Sequence, residues 1–220
     1  MIIAIDGKAG TGKSTVAKKL AKKLNYTYID TGAMYRAVAY YCYINNIEIT
    51  DENLRKEIDN IDITITYVNL EQRLFLNGED ITDYLRIKEV NDRASEVATI
   101  NCVREKLVKI QRNMAKSKDV IMDGRDIGTV VFPNAEVKIF TETDIDVRVE
   151  RRMKEYLEKG VKMDPEDLRE NMLKRDRIDS QREISPLKKA DDAIVIDTTN
   201  LSKEEVVDII AKIAIEKEDK

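Results

Sequence analysis

The sequence "GKAGTGKS" at residues 7–14 has the spacing G-x-x-x-x-G-K-[ST] of a phosphate-binding loop. An apolar run, "IIAI" at residues 2–5, precedes the loop and is typical of a buried strand, while residues 15–24 carry apolar side chains at helical spacing. Strand, glycine loop and helix form the order that the motif requires. An ordinary turn before an amphipathic helix would explain the glycines alone, but the complete spacing and both flanks favour a loop that binds the phosphates of a nucleotide.

The residue types of this loop predict its chemistry. Glycine allows successive backbone N–H groups to converge on one anion, and the helix that follows adds its positive end. We expect the Lys13 ammonium to reach the β- and γ-phosphates and the Ser14 hydroxyl to bind Mg²⁺. The predicted nucleotide-binding residues of the loop are Gly7, Lys8, Ala9, Gly10, Thr11, Gly12, Lys13, Ser14 and Thr15.

Composition excludes several classes of protein. The chain has 220 residues, enough for one large domain, and its net charge of −4 provides no broad basic surface for nucleic acid. Histidine is absent, and Cys42 and Cys102 lie far apart, which excludes a zinc centre and a histidine-based triad. We find neither an apolar run of membrane-spanning length nor a signal peptide, so we expect a cytoplasmic protein.

The remaining pattern predicts an α/β fold with one insert. Apolar segments typical of buried strands are "YTYID", "DVIMD", "AEVKIF" and "DAIVID". Between them we predict helices from about Ala33, over residues 88–116 with a break near Ile100, and from Thr143 or Asp144 to Gly160. A capping box at residues 202–205 begins the last helix. Because strands and helices alternate, we expect a parallel sheet covered on both faces.

The insert is predicted as a small antiparallel sheet. Residues 61–68, "IDITITYV", alternate apolar and polar side chains, and residues 73–81, "RLFLNGEDI", follow after a short polar loop. Asn77 and Gly78 are a strong signal for a tight hairpin turn. We expect Ile63, Ile65 and Phe75 to pack against neighbouring helices rather than to form an exposed face.

Residues outside the phosphate loop restrict the set of possible functions. The guanine-reading N-K-x-D and the D-x-x-G of a GTPase switch are both missing. The strand "VIMD" ends in Asp123, a position from which an acid can hold Mg²⁺ through water. Alternatively, Asp123 only caps a turn and binds no metal.

Arginines recur at helical spacing in the last third of the chain. We expect Arg169 and Arg177 to be solvated. Arg175, Asp179 and Arg182 share one face if their segment is helical, and this face is either an internal ion-pair ladder or a grip on a phosphorylated sugar.

These motifs resemble the bacterial-type cytidylate kinases over nearly the whole chain. The resemblance rests on "IAIDGKAGTGKST", "YIDTGAMYRA", "ASEVA", "VREKL", "DGRDIGTVVFP", "ERRM" and "KRDRIDSQREISPL". It implies a nucleoside monophosphate (NMP) kinase fold, a three-layer α/β/α arrangement with a central parallel sheet, an antiparallel insert and a short helical lid. The implied reaction is ATP with CMP or dCMP, giving ADP with CDP or dCDP.

The resemblance also implies the roles of individual residues. Lys13, Arg125 and Arg175 would act on the transferring phosphoryl group, and Ser14 would hold Mg²⁺. From its strand-end position we add Asp123 to both sets, and we also assign Arg151 to ATP binding. The residues implied to bind the acceptor are Arg36, Ser95, Arg104, Arg125, Asp126, Arg175, Asp179 and Arg182. Arg36 and Arg125 match the positions that grip the acceptor phosphate. The other six residues match positions that contact the base, the sugar or the reacting phosphates, and their exact division stays open. Lys8 stands where many relatives carry proline, which leaves the spacing intact.

The implied organisation is one NMP-kinase domain. Its core spans residues 1–35, 118–147 and 190–220, its acceptor-binding region with the insert about 36–110, and its lid about 148–182. The expected partners are ATP and CMP or dCMP, with Mg²⁺ as cofactor, without nucleic acid or membrane. We expect a monomer.

The chemistry suits a protein without histidine. The attacking oxygen belongs to a monophosphate whose second pKa is about 6, so no general base is needed. Cytosine presents an amino donor beside acceptors, and Ser95 and Asp126 with Arg104 and Arg182 provide the complementary groups. We therefore expect CMP to be strongly preferred over UMP.

Two other functional hypotheses explain part of the sequence. A kinase of the same fold for dTMP, GMP or shikimate would explain the loop and the arginines but not "DTGAMYR" together with "DGRDIGTVVFP". A non-catalytic nucleotide-sensing module would bind ATP without transferring phosphate and would present an exposed apolar face on the insert.

Overall fold

The computed structural model describes residues 1–68, 71–116, 119–158 and 160–218. The strands are β1 (Ile2–Gly7), β2 (Thr27–Asp30), β3 (Ile63–Val68), β4 (Glu71–Leu76), β5 (Glu79–Asp80), β6 (Val120–Gly124), β7 (Val137–Glu142) and β8 (Ile194–Asp197). The helices are α1 (Lys13–Leu24), α2 (Thr31–Ile44), α3 (Asp51–Glu57), α4 (Lys88–Val97), α5 (Asn101–Met114), α6 (Ile145–Glu158), α7 (Pro165–Gln181) and α8 (Lys203–Glu218).

The chain forms two compact units. The first comprises residues 1–26 and 120–220, and the second residues 27–119. None of the helices in the described part of the chain combines the length and the apolar character needed to cross a membrane.

The first unit is built on a parallel sheet in the order β6–β1–β7–β8. Ile5 of β1 pairs with Asp123 on one side and with Ile139 on the other. Ile3 and Ile5 are fully buried, and so is Ala4 between them. Because this strand is covered on both faces, neither face needs polar side chains, and its apolar residues therefore follow one another without alternating polar positions. The predicted parallel α/β architecture is confirmed.

The ends of the helices in the first unit are set by glycines and by capping hydrogen bonds. Helix α1 begins at Lys13, directly after Gly12 with φ +84°, two residues earlier than the apolar spacing indicated. The capping box of α8 is confirmed, since Ser202 N–H donates to Glu205 Oε2 at 2.8 Å and Glu205 N–H to Ser202 Oγ at 3.2 Å. Gly160, with φ +72°, follows the end of α6 as predicted.

Helices α6 and α7 pack through a buried ion pair. Arg148 Nη1 lies 2.7 Å from Asp176 Oδ2, and the side chains are only 3% and 8% exposed. Arg177 is exposed, as expected for a solvated position, and Arg169 pairs with Asp146.

Arg175, Asp179 and Arg182 were expected to share one face if their segment was helical, and this condition holds for Arg175 and Asp179 but not for Arg182. Helix α7 ends at Gln181, and Arg182 is its C-cap with extended ψ of 140°. The Arg182 side chain therefore leaves the helical face and lies instead near Asp126.

The second unit has its own apolar core, which includes Met34, Val38, Leu54 and Leu107. Helix α2 begins at Thr31, so the predicted turn at Thr31 and Gly32 with a helix from Ala33 was wrong. The reason is Asp30, whose Oδ1 accepts the Ala33 N–H at 2.9 Å and caps the helix two residues earlier. The predicted break between the two following helices is confirmed, because α4 ends at Val97 and α5 begins at Asn101.

The insert is a three-stranded antiparallel sheet in the order β3–β4–β5. Asn77 and Gly78 have φ values of +50° and +85° and form the predicted tight turn. Ile63 is buried, and Ile65 packs against the core of the second unit, so these side chains do not form an exposed apolar face.

Candidate active site

The phosphate loop holds its lysine in a buried position. Lys13 is 5% exposed, and its ammonium donates to the Lys8 carbonyl at 2.8 Å. Burial, together with the nearby Arg125 guanidinium, lowers the pKa of Lys13 to about 7, although Asp123 counteracts this. An anion placed in the loop would offset the repulsion and restore the full charge of the lysine.

Ser14 and Asp123 meet at the carboxyl end of the sheet. Ser14 Oγ donates to Asp123 Oδ2 at 2.6 Å, although 109 positions separate them along the chain. Helix α1 places the hydroxyl and β6 the carboxylate, which is 4% exposed. A hydroxyl and a carboxylate are oxygen donors of the kind that Mg²⁺ prefers.

Two further ion pairs lie in the same unit. Arg125 Nε donates to Asp179 Oδ2 at 2.7 Å, and Arg182 Nη2 lies 3.5 Å from Asp126 Oδ1. Burial would raise the pKa of Asp179, but the Arg125 guanidinium outweighs it and holds this pKa below its usual range. The Asp179 carboxylate is therefore ionised at neutral pH and orients the Arg125 guanidinium.

Arg175 completes the charged cluster around the loop. It lies on α7, and its charge acts on both Lys13 and Asp179. The cluster contains three cations, Lys13, Arg125 and Arg175, against the carboxylates of Asp123 and Asp179. A net positive, largely buried cluster beside a phosphate loop favours a polyanion or a transferring phosphoryl group.

The turn that follows β6 is held by Asp6. Residues Ile127–Val131 form a π-helical turn, and Asp6 accepts its first N–H groups, from Ile127 at 2.9 Å and from Gly128 at 2.8 Å. Burial raises the pKa of Asp6 to about 7 despite these bonds. The turn begins directly after Arg125 and Asp126, so its position determines theirs.

A cavity of about 310 Å³ opens beside the phosphate loop. Its lining includes Gly12, Val16, Arg151 and Leu201. Arg151 Nη2 donates to the Thr198 carbonyl at 2.7 Å, which holds the guanidinium at the rim. Val16, Leu201 and Val206 form an apolar surface beside the Arg151 guanidinium, which suits a flat heteroaromatic ring, and Lys203 and Glu204 also line the cavity. A second cavity, of about 410 Å³, is lined by Glu142, Asp144 and Asp197, and these acids oppose an anionic ligand.

Not every side chain of the phosphate loop is buried. Lys8 and Thr15 both have exposed side chains. Ala9 contributes its carbonyl, which accepts from Arg148 Nη1 at 3.1 Å. Thr11 Oγ1 lies 2.9 Å from Thr141 Oγ1, and this bond ties the loop to β7.

The second unit holds Arg36 through Asp30. Arg36 Nη2 donates to Asp30 Oδ2 at 2.8 Å, and Gln72 Oε1 accepts the Asp30 N–H at 2.9 Å. Although burial would raise it, the pKa of Asp30 is lowered because Arg36 stabilises the ionised form. The hairpin insert thus supports the carboxylate that orients Arg36.

Ser95 and Arg104 lie on two other helices of the same unit. Ser95 of α4 is 8% exposed and Arg104 of α5 is 2% exposed. The Arg104 guanidinium lies over the Tyr35 ring, 5.5 Å from its centroid, and Nη1 donates to the Ala98 carbonyl at 3.1 Å. A buried guanidinium stacked on an aromatic ring is held in one orientation.

The structure also places side chains that the sequence did not single out beside the predicted site residues or the turn that carries them: Asp6, Asp30, Tyr35 and Thr198. Asp30 belongs to the motif "DTGAMYR" and lies only six positions before Arg36, so their pairing could have been predicted from the sequence. The contacts of Asp6 and Thr198 join residues that are more than 100 positions apart, and no local pattern marks them.

Comparison with known proteins agrees with this chemistry. A family model described as "Cytidylate kinase" matches residues 3–216. A cytidylate kinase from Fusobacterium nucleatum is 49% identical over 213 residues, covering 96% of each chain. Another, from Geobacillus sp., is 50% identical over 220 residues, covering 98% of this chain and 96% of its own.

Solved structures show the same fold. An uncharacterized protein from Eubacterium ventriosum superposes with a TM-score of 0.55 at 17% identity, covering 97% of both chains. At this identity the likeness concerns the fold alone.

Proposed function

Because this chain belongs to the cytidylate kinase family, we propose that it transfers the γ-phosphoryl group of ATP to CMP and dCMP, giving CDP and dCDP. The observation that carries the proposal is the buried cluster of Lys13, Arg125 and Arg175 beside the phosphate loop. Such a cluster offsets the repulsion between two anionic nucleotides.

The transfer needs no base from the protein. The attacking oxygen belongs to the CMP phosphate, which is largely ionised at neutral pH. Lys13, Arg125 and Arg175 stabilise the charge that spreads over the transferring group and hold donor and acceptor in line. Cations held by ionised partners, as Arg125 is by Asp179, do not reorganise during the reaction.

The residues present fit Mg²⁺. Ser14 Oγ and the Asp123 carboxylate supply oxygen donors from two elements that meet at the loop. When bound there, Mg²⁺ neutralises phosphate charge. Asp123 orients the Ser14 hydroxyl, and Lys13 supplies a fixed positive charge on the other side of the loop.

Acceptor recognition is assigned to the residues that match the family's motifs. Arg36 and Arg125 bind the CMP phosphate, and Arg175 and Asp179 act on the sugar and the reacting phosphate. The residues that read cytosine are Ser95, Arg104, Asp126 and Arg182. Oxygen acceptors match the cytosine amino group, and guanidinium donors match its ring nitrogen and carbonyl.

The donor base is assigned to the cavity lined by Arg151 and Leu201. Its apolar surface accepts the purine of ATP, and Gly12 on its rim leads to the phosphate loop. The segment 148–182 would act as a lid that excludes water, the competing acceptor. Residues 1–35, 118–147 and 190–220 are assigned to the core and 36–110 to the acceptor region. We place the protein in the cytoplasm as a monomer.

The test is a coupled assay of ADP release with ATP and Mg²⁺ and, in parallel, CMP, dCMP, UMP, dTMP and GMP. We expect turnover of CMP and dCMP and little of the others. Lys13→Ala, purified in the same way, controls for contaminating kinases. Equal turnover of UMP would contradict the base assignment. ATP binding without transfer to any acceptor would favour a sensing module.

A further inference from the structure

We propose that Asp6 is a positioning residue for acceptor recognition: its carboxylate caps the turn Ile127–Val131 in place of Asp126, which keeps the Asp126 carboxylate directed toward Arg182. The proposal rests on the proposed function in one respect, which is that Asp126 is assigned to the recognition of cytosine. Asp6 itself is assigned no contact with substrate.

The geometry of the cap is the first observation. The first N–H groups of a helical turn lack partners within the turn and need an acceptor from elsewhere. Asp6 supplies both of its oxygens, Oδ1 to the Ile127 N–H at 2.9 Å and Oδ2 to the Gly128 N–H at 2.8 Å. Asp6 is 4% exposed and lies on β1, so a strand of the sheet holds the cap rigidly.

The second observation concerns Asp126. It occupies the N-cap position, where an aspartate ordinarily accepts N–H groups of its own turn, yet its side chain makes no capping hydrogen bond. Its backbone carbonyl accepts the Val130 and Val131 N–H groups at 2.9 and 3.1 Å. The side chain lies 3.5 Å from Arg182 Nη2 instead. Asp6 thus performs the capping that would otherwise compete for the Asp126 carboxylate.

The surroundings show that the contact is closely fitted. A Cβ atom on Gly128 would lie 3.2 Å from Lys138 Cδ and at van der Waals distance, 3.4 Å, from Asp6 Oδ2, so the turn is packed between the lysine side chain and the carboxylate. Burial raises the pKa of Asp6 to about 7, which means that ionising it here is unfavourable for folding. A destabilising group retained in a closely packed position is expected at a functional site.

The substitution Asp6→Asn tests the proposal. The amide is isosteric, but its nitrogen cannot accept, so one N–H of the turn loses its partner and the Asp126 carboxylate becomes the nearest alternative cap. At pH 8, where Asp6 is ionised, we expect the KM for CMP to rise on the order of 10-fold and the preference for CMP over UMP to fall similarly. We expect the KM for ATP to stay within about twofold, a split that a general structural defect would not produce.

A control is Asp144→Asn. Asp144 also accepts a backbone N–H group, from Asp146 at 2.7 Å, at the start of α6, and it belongs neither to the assigned site nor to the lid. We expect this variant to leave the CMP preference unchanged. If Asp6→Asn is not soluble, Gly128→Ala shifts the same turn, because the new Cβ would press on Lys138 Cδ at 3.2 Å, and it should produce the same selective loss.

A double-mutant cycle with Asp126→Ala shows whether Asp6 acts through Asp126. We expect Asp6→Asn to change kcat/KM for CMP by less than about twofold in that background. Full additivity, or equal rises in the KM for CMP and ATP, would overturn the proposal. The wild-type acceptor panel is measured first, so failure of the proposed function appears there, whereas failure of this inference appears only in the variants.

Discussion

Arg148 Nη1 and Asp176 Oδ2 lie 2.7 Å apart, and this ion pair joins α6 to α7 in a contact that excludes most solvent. The same guanidinium donates to the Ala9 carbonyl, so one side chain links both helices to the phosphate loop. Asp176 directly follows Arg175, and the pair therefore holds the part of α7 that carries a proposed catalytic cation.

Arg148→Ala should lower the free energy of unfolding by about 3–5 kcal/mol, because it leaves the Asp176 carboxylate buried without its counter-ion. Arg148→Met combined with Asp176→Leu should recover most of this loss, since an apolar pair carries no desolvation penalty. Urea unfolding measures both. The control is Arg169→Ala, whose partner Asp146 is 71% exposed and whose loss should cost about 0–1 kcal/mol. Equal losses at Arg148 and Arg169 would contradict the buried pair's role.

Lys13→Ala should reduce kcat on the order of 10²–10³-fold, because it removes a fixed positive charge at the transferring phosphoryl group. The KM for CMP should change little, because Lys13 belongs to the donor site. Steady-state kinetics with each substrate varied in turn separates the two effects. Lys22→Ala, on the exposed side of α1, is the control and should retain normal turnover. A variant that loses CMP affinity instead would place Lys13 elsewhere in the mechanism.

Gly7→Ala should destabilise the first unit severely. The new Cβ would overlap the Oγ1 and carbonyl oxygen of Thr141, and the φ of +152° is unfavourable for a residue with a side chain. Gly160→Ala is the comparison, since it has φ +72° with no atom near its Cβ and should cost only about 1–2 kcal/mol of backbone strain. Thermal unfolding of both variants measures the difference. Similar losses would show that the contact with Thr141 is not limiting.

Asp6 should make stability depend on pH. Its pKa is raised from about 3.9 in the unfolded chain to about 7 in the folded one, so the folded state binds more protons between these values. Stability from this group is therefore fully present below about pH 4 and is lost as the pH rises toward 7, by up to about 4 kcal/mol. The charges that face it are Asp126, which raises this pKa, and Lys13, which lowers it.

Urea unfolding at pH 5, 6, 7 and 8 tests this dependence. Relative to wild type, Asp6→Asn should become more stable as the pH rises from 5 to 7, and the difference should level off above about pH 7.5. Parallel curves for the two proteins would show that Asp6 does not titrate in this range.

The sequence by itself determined the parts whose chemistry is local. The phosphate loop was predictable because backbone N–H groups, lysine and serine that bind one polyphosphate lie within eight consecutive positions. The parallel sheet followed from short apolar runs between helices, and the hairpin from Asn77 and Gly78, since each signal is contained in a few residues. Asp123 was predicted from its place at a strand end, where residues of neighbouring strands meet.

Only the tertiary structure decided which charged side chains pair. Helical spacing indicated that Asp179 would lie near Arg175 and Arg182, and both arginines do act on it. The spacing did not show that the helix ends at Gln181 or that Asp179 accepts its hydrogen bond from Arg125 of another element. Asp6 and Ile127 are 121 positions apart, and no pattern in either segment marks their hydrogen bond. In a chain with 36% charged residues many pairings are compatible with the sequence, and burial selects among them because an unpaired buried charge is too costly.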